Sequence, residues 1–156
     1  MKEYILLYKS KLNNYCNLEK HPKSKLFDLI IFFSEDYSPS KVDIFTRELN
    51  LYNTTYVYND FKNNMMYIGF GEWFIDEDID GPSWDEYSKY VNENNSCEIS
   101  IDNFIELVEK WLSIKEVLPS FAIIYRDDND WIDFKGFDTQ AEMEYFVKNY
   151  QPEAVH

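Results

Sequence analysis

Closely spaced carboxylates are the groups in this chain best suited to chemistry, and they gather in two places. Asp76-Glu77-Asp78-Ile79-Asp80-Gly81 matches the opening of a calcium loop, where alternating carboxylates converge on one cation and a glycine makes the sharp turn. The rest of the loop departs from that pattern. The twelfth position, which should supply a bidentate Glu, is Tyr87; Glu86 falls one residue early, and Pro82 occupies the seventh position. The second gathering is Asp127-Asp128-Asn129-Asp130, with Asp133 close behind, a compact negative patch at the tip of an expected hairpin. Glycosidase or metal-nuclease chemistry needs two carboxylates in separate environments within a cleft, and neighbours along one turn provide no such separation. Neither an enzyme nor a bound metal or cofactor is expected.

The remaining reactive side chains exclude more than they suggest. Cys16 and Cys97 follow no metal-ligand spacing and read as two buried thiols. His21 stands beside Pro22 in a polar stretch and His156 is the last residue, so neither has a base-and-nucleophile setting. Gly69, Gly71, Gly81 and Gly136 are the four glycines, and no Lys follows them at phosphate-loop spacing.

Tryptophans give the carboxylates a different use. Trp73 and Trp84 flank the Asp76–Asp80 cluster, Trp131 follows the second acidic turn, and Trp111 belongs to an apolar helix stripe and is expected in the core. Aromatic anchors ringed by charge are what a protein-binding surface uses, the ring supplying buried area and the charge steering the partner. The duller reading of each is a core or rim Trp. The candidate contact residues are Asp76, Asp78, Asp80, Trp84, Asp85 and Glu86, with Asp127, Asp128, Asp130 and Trp131.

Charge favours a basic partner. The 156 residues carry 29 Asp+Glu against 15 Lys+Arg, a net charge of -14. Abundant Asn, Ile, Tyr, Phe and Lys, with only Arg47 and Arg126, resemble an AT-rich coding bias, and such a bias adds Lys, so the acidic excess runs against it. Residues 1–62 hold nine Lys/Arg and eight Asp/Glu, whereas residues 63–156 hold six and 21. A surface of that sign repels nucleic acid and anionic membranes and speeds encounter with cations. Its duller reading is solubility alone. No apolar run reaches the roughly 18 residues of a membrane span, and the start carries Glu3 where a signal peptide would be apolar, so a cytoplasmic protein is expected.

Positioning these residues requires strands and helices in mixed order. Tyr4–Tyr8, Leu26–Phe33, Thr54–Tyr58, Met65–Phe70, Phe121–Arg126 and Trp131–Phe137 read as strands, with Trp73–Ile75 as a continuation past Gly71. A helix is expected from Ser38-Pro39 with the stripe Val42, Phe45, Leu49 and Tyr52, and another from Ser83, whose capping-box partner is Glu86. A third starts at Asp102 as cap, buries Phe104, Ile105, Val108, Trp111 and Leu112, and ends at Pro119. The last starts at Asp138-Thr139 and buries Met143, Phe146, Val147 and Tyr150. Strands fall in adjacent pairs, so the expectation is one α+β domain over residues 1–156, with a largely antiparallel sheet and about four helices.

Residues 97–150 carry a family likeness, in Ile99 through Trp111, Phe121-Ala122-Ile123-Ile124-Tyr125-Arg126-Asp127-Asp128-Asn129-Asp130-Trp131 and Phe137 through Phe146. This stretch resembles small immunity proteins of bacterial contact-dependent growth inhibition and related polymorphic toxin systems. The resemblance implies an antitoxin that binds and neutralises a cognate toxin domain, often a nuclease; the acidic balance adds the expectation that this domain is a basic protein, and the carboxylate pattern that the antitoxin is not an enzyme. The alternative is a nucleic-acid-mimic decoy that blocks a host defence enzyme, its carboxylates occupying the places of phosphates.

Overall fold

The structure is a computed structural model that describes residues 1–19, 24–38, 42–70 and 95–152. It is an α+β arrangement of two four-stranded antiparallel sheets, and the chain divides into two compact units, one of residues 1–26 and 102–156 and one of residues 27–101.

The first unit contains strands β1 (Glu3–Lys9) and β2 (Tyr15–Asn17), and later β7 (Phe121–Arg126) and β8 (Ile132–Phe137), in the order β2-β1-β7-β8. Period-two alternation sends Ile5 and Leu7 of β1 to one face, together with Ala122, Ile124, Ile132 and Phe134, all buried. Helix α2 (Ile101–Val117) covers that face: Trp111 lies 5.4 Å from the Phe134 ring and 6.4 Å from Tyr15. The opposite face is covered by α3 (Gln140–Lys148), where Met143, Ile123 and Tyr125 are buried and Leu6, Phe121, Phe137, Phe146, Val147 and Tyr150 pack around them.

The second unit contains β3 (Leu49–Leu51), β4 (Thr55–Asp60), β5 (Met65–Phe70) and β6 (Cys97–Ser100), in chain order within its sheet. Its buried residues are Tyr56, Val57, Met66, Ile68, Cys97 and Ile99 from the strands and Leu29, Ile30, Phe32 and Phe33 from the segment before them, with the Phe27 ring 5.8 Å from Phe70 and the Phe32 ring 5.7 Å from Tyr52.

Five expectations are corrected. Leu26–Phe33 is not a strand but helix α1 (Leu26–Ile31) followed by a π-turn over Phe32–Asp36. An unbroken apolar run fits a buried strand or a buried helix equally. Here Leu26, Leu29, Ile30 and Phe33 fall at helical spacing, and the Ser24 hydroxyl accepts from the Leu26 amide at 3.1 Å, as a helix cap does. The helix expected after Ser38-Pro39 is replaced, in its described part, by a 3₁₀ turn (Val42–Phe45) and β3. The carbonyls of Ile44 and Arg47, which a helix would use internally, accept instead from the buried side-chain amides of Asn50 and Asn59.

Helix α2 turns a different face inward. Asn103, Phe104, Leu107, Trp111 and Ile114 are buried, while Ile105 and Leu112 are 49% and 38% exposed. Asp102 occupies its first turn rather than the cap. The rotation follows from Asn103, whose side chain serves the edge of β8: Nδ2 donates to the Ile132 carbonyl and Oδ1 accepts from the Ile132 amide, both at 2.8 Å. Three α-helices stand among the described residues where about four were expected. The helix at Ser83 and the strand Trp73–Ile75 lie outside them.

Candidate functional site

The β7–β8 hairpin shows how local chemistry builds the second acidic cluster. The Asp127 amide donates to the Trp131 carbonyl at 2.8 Å and closes a three-residue loop, Asp128–Asp130, in which Asp130 takes a left-handed backbone (φ 67°) that Asp tolerates better than most residues. Asp127 Oδ1 accepts from the Asn129 amide at 2.8 Å and from the Trp131 amide at 3.0 Å. Asp127 is therefore buried and committed to the turn, a structural role rather than an outward one. Trp131 is half-buried beside it.

The other two acids of the tip are matched within the chain. Because β1 runs antiparallel to β7 with Glu3 opposite Arg126, the chain start lies against the hairpin tip. The terminal amine stands 3.1 Å from Asp128 and Lys2 Nζ 2.6 Å from Asp130. Arg126 Nε donates to Glu3 at 2.9 Å, and its Nη1 donates to the Asp130 carbonyl at 3.2 Å. Asp133 takes Lys110 Nζ at 2.6 Å, with the Tyr125 hydroxyl donating to its other oxygen at 3.4 Å. The carboxylates beside it, Asp133 and Glu106, hold the Lys110 ammonium above its usual range although burial pulls the other way. Exposed pairs such as Lys2–Asp130 contribute little stability, about 0–1 kcal/mol, but they cancel charge where an isolated patch was expected.

Folding also redistributes the charge along the chain. The lysine-rich residues 1–26 share a unit with the acidic residues 102–156, which together hold 11 Lys/Arg and 14 Asp/Glu, a balance of -3. Residues 27–101 hold four and 15, a balance of -11. Residues 71–94 account for most of that surplus, with eight Asp/Glu against Lys89 alone. Asp76, Asp78, Asp80, Trp84, Asp85 and Glu86 lie in this segment, outside the described residues.

Flanking that segment, β5 and the start of β6 are tightly built. Tyr56 is fully buried opposite Gly69, its hydroxyl donating to the Asn95 carbonyl at 3.3 Å, and burial pushes its phenol up to about 12. Gly69 is required by contact, since a Cβ there would stand 2.6 Å from the Tyr56 hydroxyl and 2.7 Å from the Asn95 carbonyl. Asp36, also buried, accepts from the Thr55 hydroxyl at 2.6 Å and amide at 2.8 Å, fixing the turn between β3 and β4.

Among the described residues no group of three or more His, Cys, Asp or Glu is placed to hold a metal ion, and no helix is long and apolar enough to cross a membrane. Cys97 is buried as expected whereas Cys16 is only half-buried, and neither is in a disulfide. Sequence reasoning missed the part played by Met1, Lys2 and Glu3; only the pairing of β1 with β7 could have revealed it. No family model matches this sequence, and no match was found among curated proteins or solved structures.

Proposed function

We propose that the protein is an immunity protein that binds and neutralises a cognate basic toxin domain, a nuclease by preference, through an acidic surface. The observation that carries this reading is the surplus of -11 retained by residues 27–101 after the acids of the hairpin tip have been matched by the chain start. A surplus of that size steers a cationic partner into encounter and repels nucleic acid. The contact residues then narrow to Asp76, Asp78, Asp80, Asp85 and Glu86, with Trp84 as the aromatic anchor. Asp128 and Asp130 become secondary, and Asp127 and Trp131 act through the shape of the turn. The protein acts in the cytoplasm, with no catalytic step and no cofactor.

Co-expression with the product of the adjacent reading frame tests this directly, and rescue of growth is the expected result. Reversing the charge of Asp76, Asp78 and Asp80 should slow association several-fold at low ionic strength and much less at high salt. Association rates that ignore both salt and the reversal would overturn the reading.

A further inference from the structure

Helix α2 carries more apolar surface than its own unit buries. Phe104, Leu107, Trp111 and Ile114 are buried on its inner face. Ile105, Val108 and Leu112 form a second line at helical spacing, turned outward by the rotation that Asn103 fixes. Ile105 and Leu112 are exposed and Val108, between them, is half-buried. A single exposed apolar side chain is ordinary, but three on successive turns make the kind of seam that one helix offers to another.

Charge gives the seam a side. Asp102, Glu109 and Glu116 recur at heptad spacing and fall in one exposed line along the solvent flank of the seam. Among the described residues no ion pair engages Glu109 or Glu116. The neighbouring lysines are directed elsewhere. Lys110, on the far side of the helix, reaches Asp133 at 2.6 Å and Glu106 at 3.6 Å. Lys115 leaves from the opposite flank, its ammonium 5.6 Å from the centre of the Trp111 ring and 3.5 Å from the Asn13 carbonyl to which it donates. Lys9 donates to the Leu118 carbonyl at 3.1 Å, beyond the helix end, and Lys11 belongs to the same turn as Asn13. These three lysines weaken the field toward Glu116, and the positive end of the helix, about half a charge, offsets part of Asp102. Three carboxylates remain against one flanking ammonium.

That sign separates two occupants. Antiparallel pairing with a second copy would set like flanks against each other across the two-fold axis, so the acidic line of one helix would meet that of the other. A helix with apolar residues at the same spacing and Lys or Arg on its flank meets no such repulsion. We propose that the outer seam of α2, Ile105, Val108 and Leu112, receives an amphipathic helix of a basic protein partner, whose cationic side chains face Asp102, Glu109 and Glu116. The basic partner rests on the acidic-surface reading above, and the seam adds a second point of contact, in the other unit of the chain.

The probe is a leucine–lysine peptide of about 18 residues with its leucines at three- and four-residue spacing, titrated into the full ¹⁵N-labelled chain. A peptide of the same composition with that spacing scrambled is the control. Saturable amide shifts centred on residues 102–116 are expected, with the scrambled peptide at least about tenfold weaker. Ile105→Gln combined with Leu112→Gln should weaken the patterned peptide by about the same factor. Glu109→Lys, which leaves the apolar line untouched, should weaken it several-fold at low ionic strength and less at high salt. Shifts centred elsewhere, equal binding of the scrambled peptide, or indifference to these substitutions would overturn the proposal. A dimer of the parent chain in sedimentation equilibrium that I105Q/L112Q dissociates would also overturn it, by giving the seam to a second copy. The two readings fail separately. If I105Q/L112Q and the parent chain bind the adjacent-gene product equally, the seam is refuted and the acidic-surface reading stands. If the parent chain binds no such product while the patterned peptide saturates at α2, the immunity reading falls and recognition of a basic helix stands.

Discussion

Removing the Asn103 side chain should destabilise the protein more than any comparable exposed change, because one amide satisfies two buried groups on an edge strand. Its contacts with the Ile132 amide and carbonyl are both 2.8 Å, and Asn103 and Ile132 are each 1% exposed. Asn103→Ala leaves a buried N–H and a buried C=O without partners, at about 1–3 kcal/mol each. The gain in helix propensity returns roughly 0.5 kcal/mol. A net loss of about 1.5–5.5 kcal/mol is expected, a large share of the roughly 5–15 kcal/mol that holds a domain. Urea unfolding followed by tryptophan fluorescence, with the slope unchanged, measures it. Asn103→Asp is the sharper control. It keeps the acceptor for the Ile132 amide but sets an oxygen against the Ile132 carbonyl, and burial raises the introduced carboxyl above the usual ~3.9. A folded-state value raised above the unfolded one means that stability is present below about pH 4 and lost as pH rises through the folded value. N103D should therefore approach the parent chain in acid and fall below N103A at neutral pH. An N103A loss within about 0.5 kcal/mol, or an N103D deficit independent of pH, would refute the clamp.

Three other outcomes follow from the same contacts. Asp127→Ala should cost about 1–3 kcal/mol by releasing the Asn129 and Trp131 amides, whereas Asp127→Asn, which keeps a carbonyl acceptor, should lose less than half of that in the same urea assay. Gly69→Ala should destabilise by about 1–3 kcal/mol, since its methyl group meets the Tyr56 hydroxyl and the Asn95 carbonyl at under 3 Å; an unchanged midpoint would contradict the packing described for β4 and β5. In alkali, burial holds the Tyr15 and Tyr56 phenols at about 12, against about 10 when unfolded. Raised acids of this kind leave stability intact below pH ~10 and remove it as pH climbs toward 12. Ultraviolet titration should thus show two phenolates that form only late or with unfolding, and two early-ionising tyrosines after Tyr→Phe controls at these positions would contradict it.

Several elements were legible because their signals are local. Asp and Asn around residues 127–130 make their own turn bonds, and Thr139 caps α3 with the amide three residues on, so hairpin and helix needed no distant partner to be read. Alternating or continuous β-branched and aromatic residues located β1, β4, β5, β7 and β8. The apolar run at Leu26 carried no such discrimination. Neither did the segment after Ser38, where Asn50 and Asn59 divert carbonyls that a helix would have used.

Composition by itself established an acidic, aromatic, mixed α and β chain with most of its negative charge after residue 62. Tertiary structure decided which of those charges remain. Antiparallel pairing of β1 with β7 brings Met1 and Lys2 to Asp128 and Asp130 across more than a hundred residues, and Asn103 reaches β8 only once helix and sheet have packed. Linear spacing cannot encode such meetings, because Coulomb attraction and hydrogen bonding depend on separation in space, which the backbone path sets only when the sheet has closed.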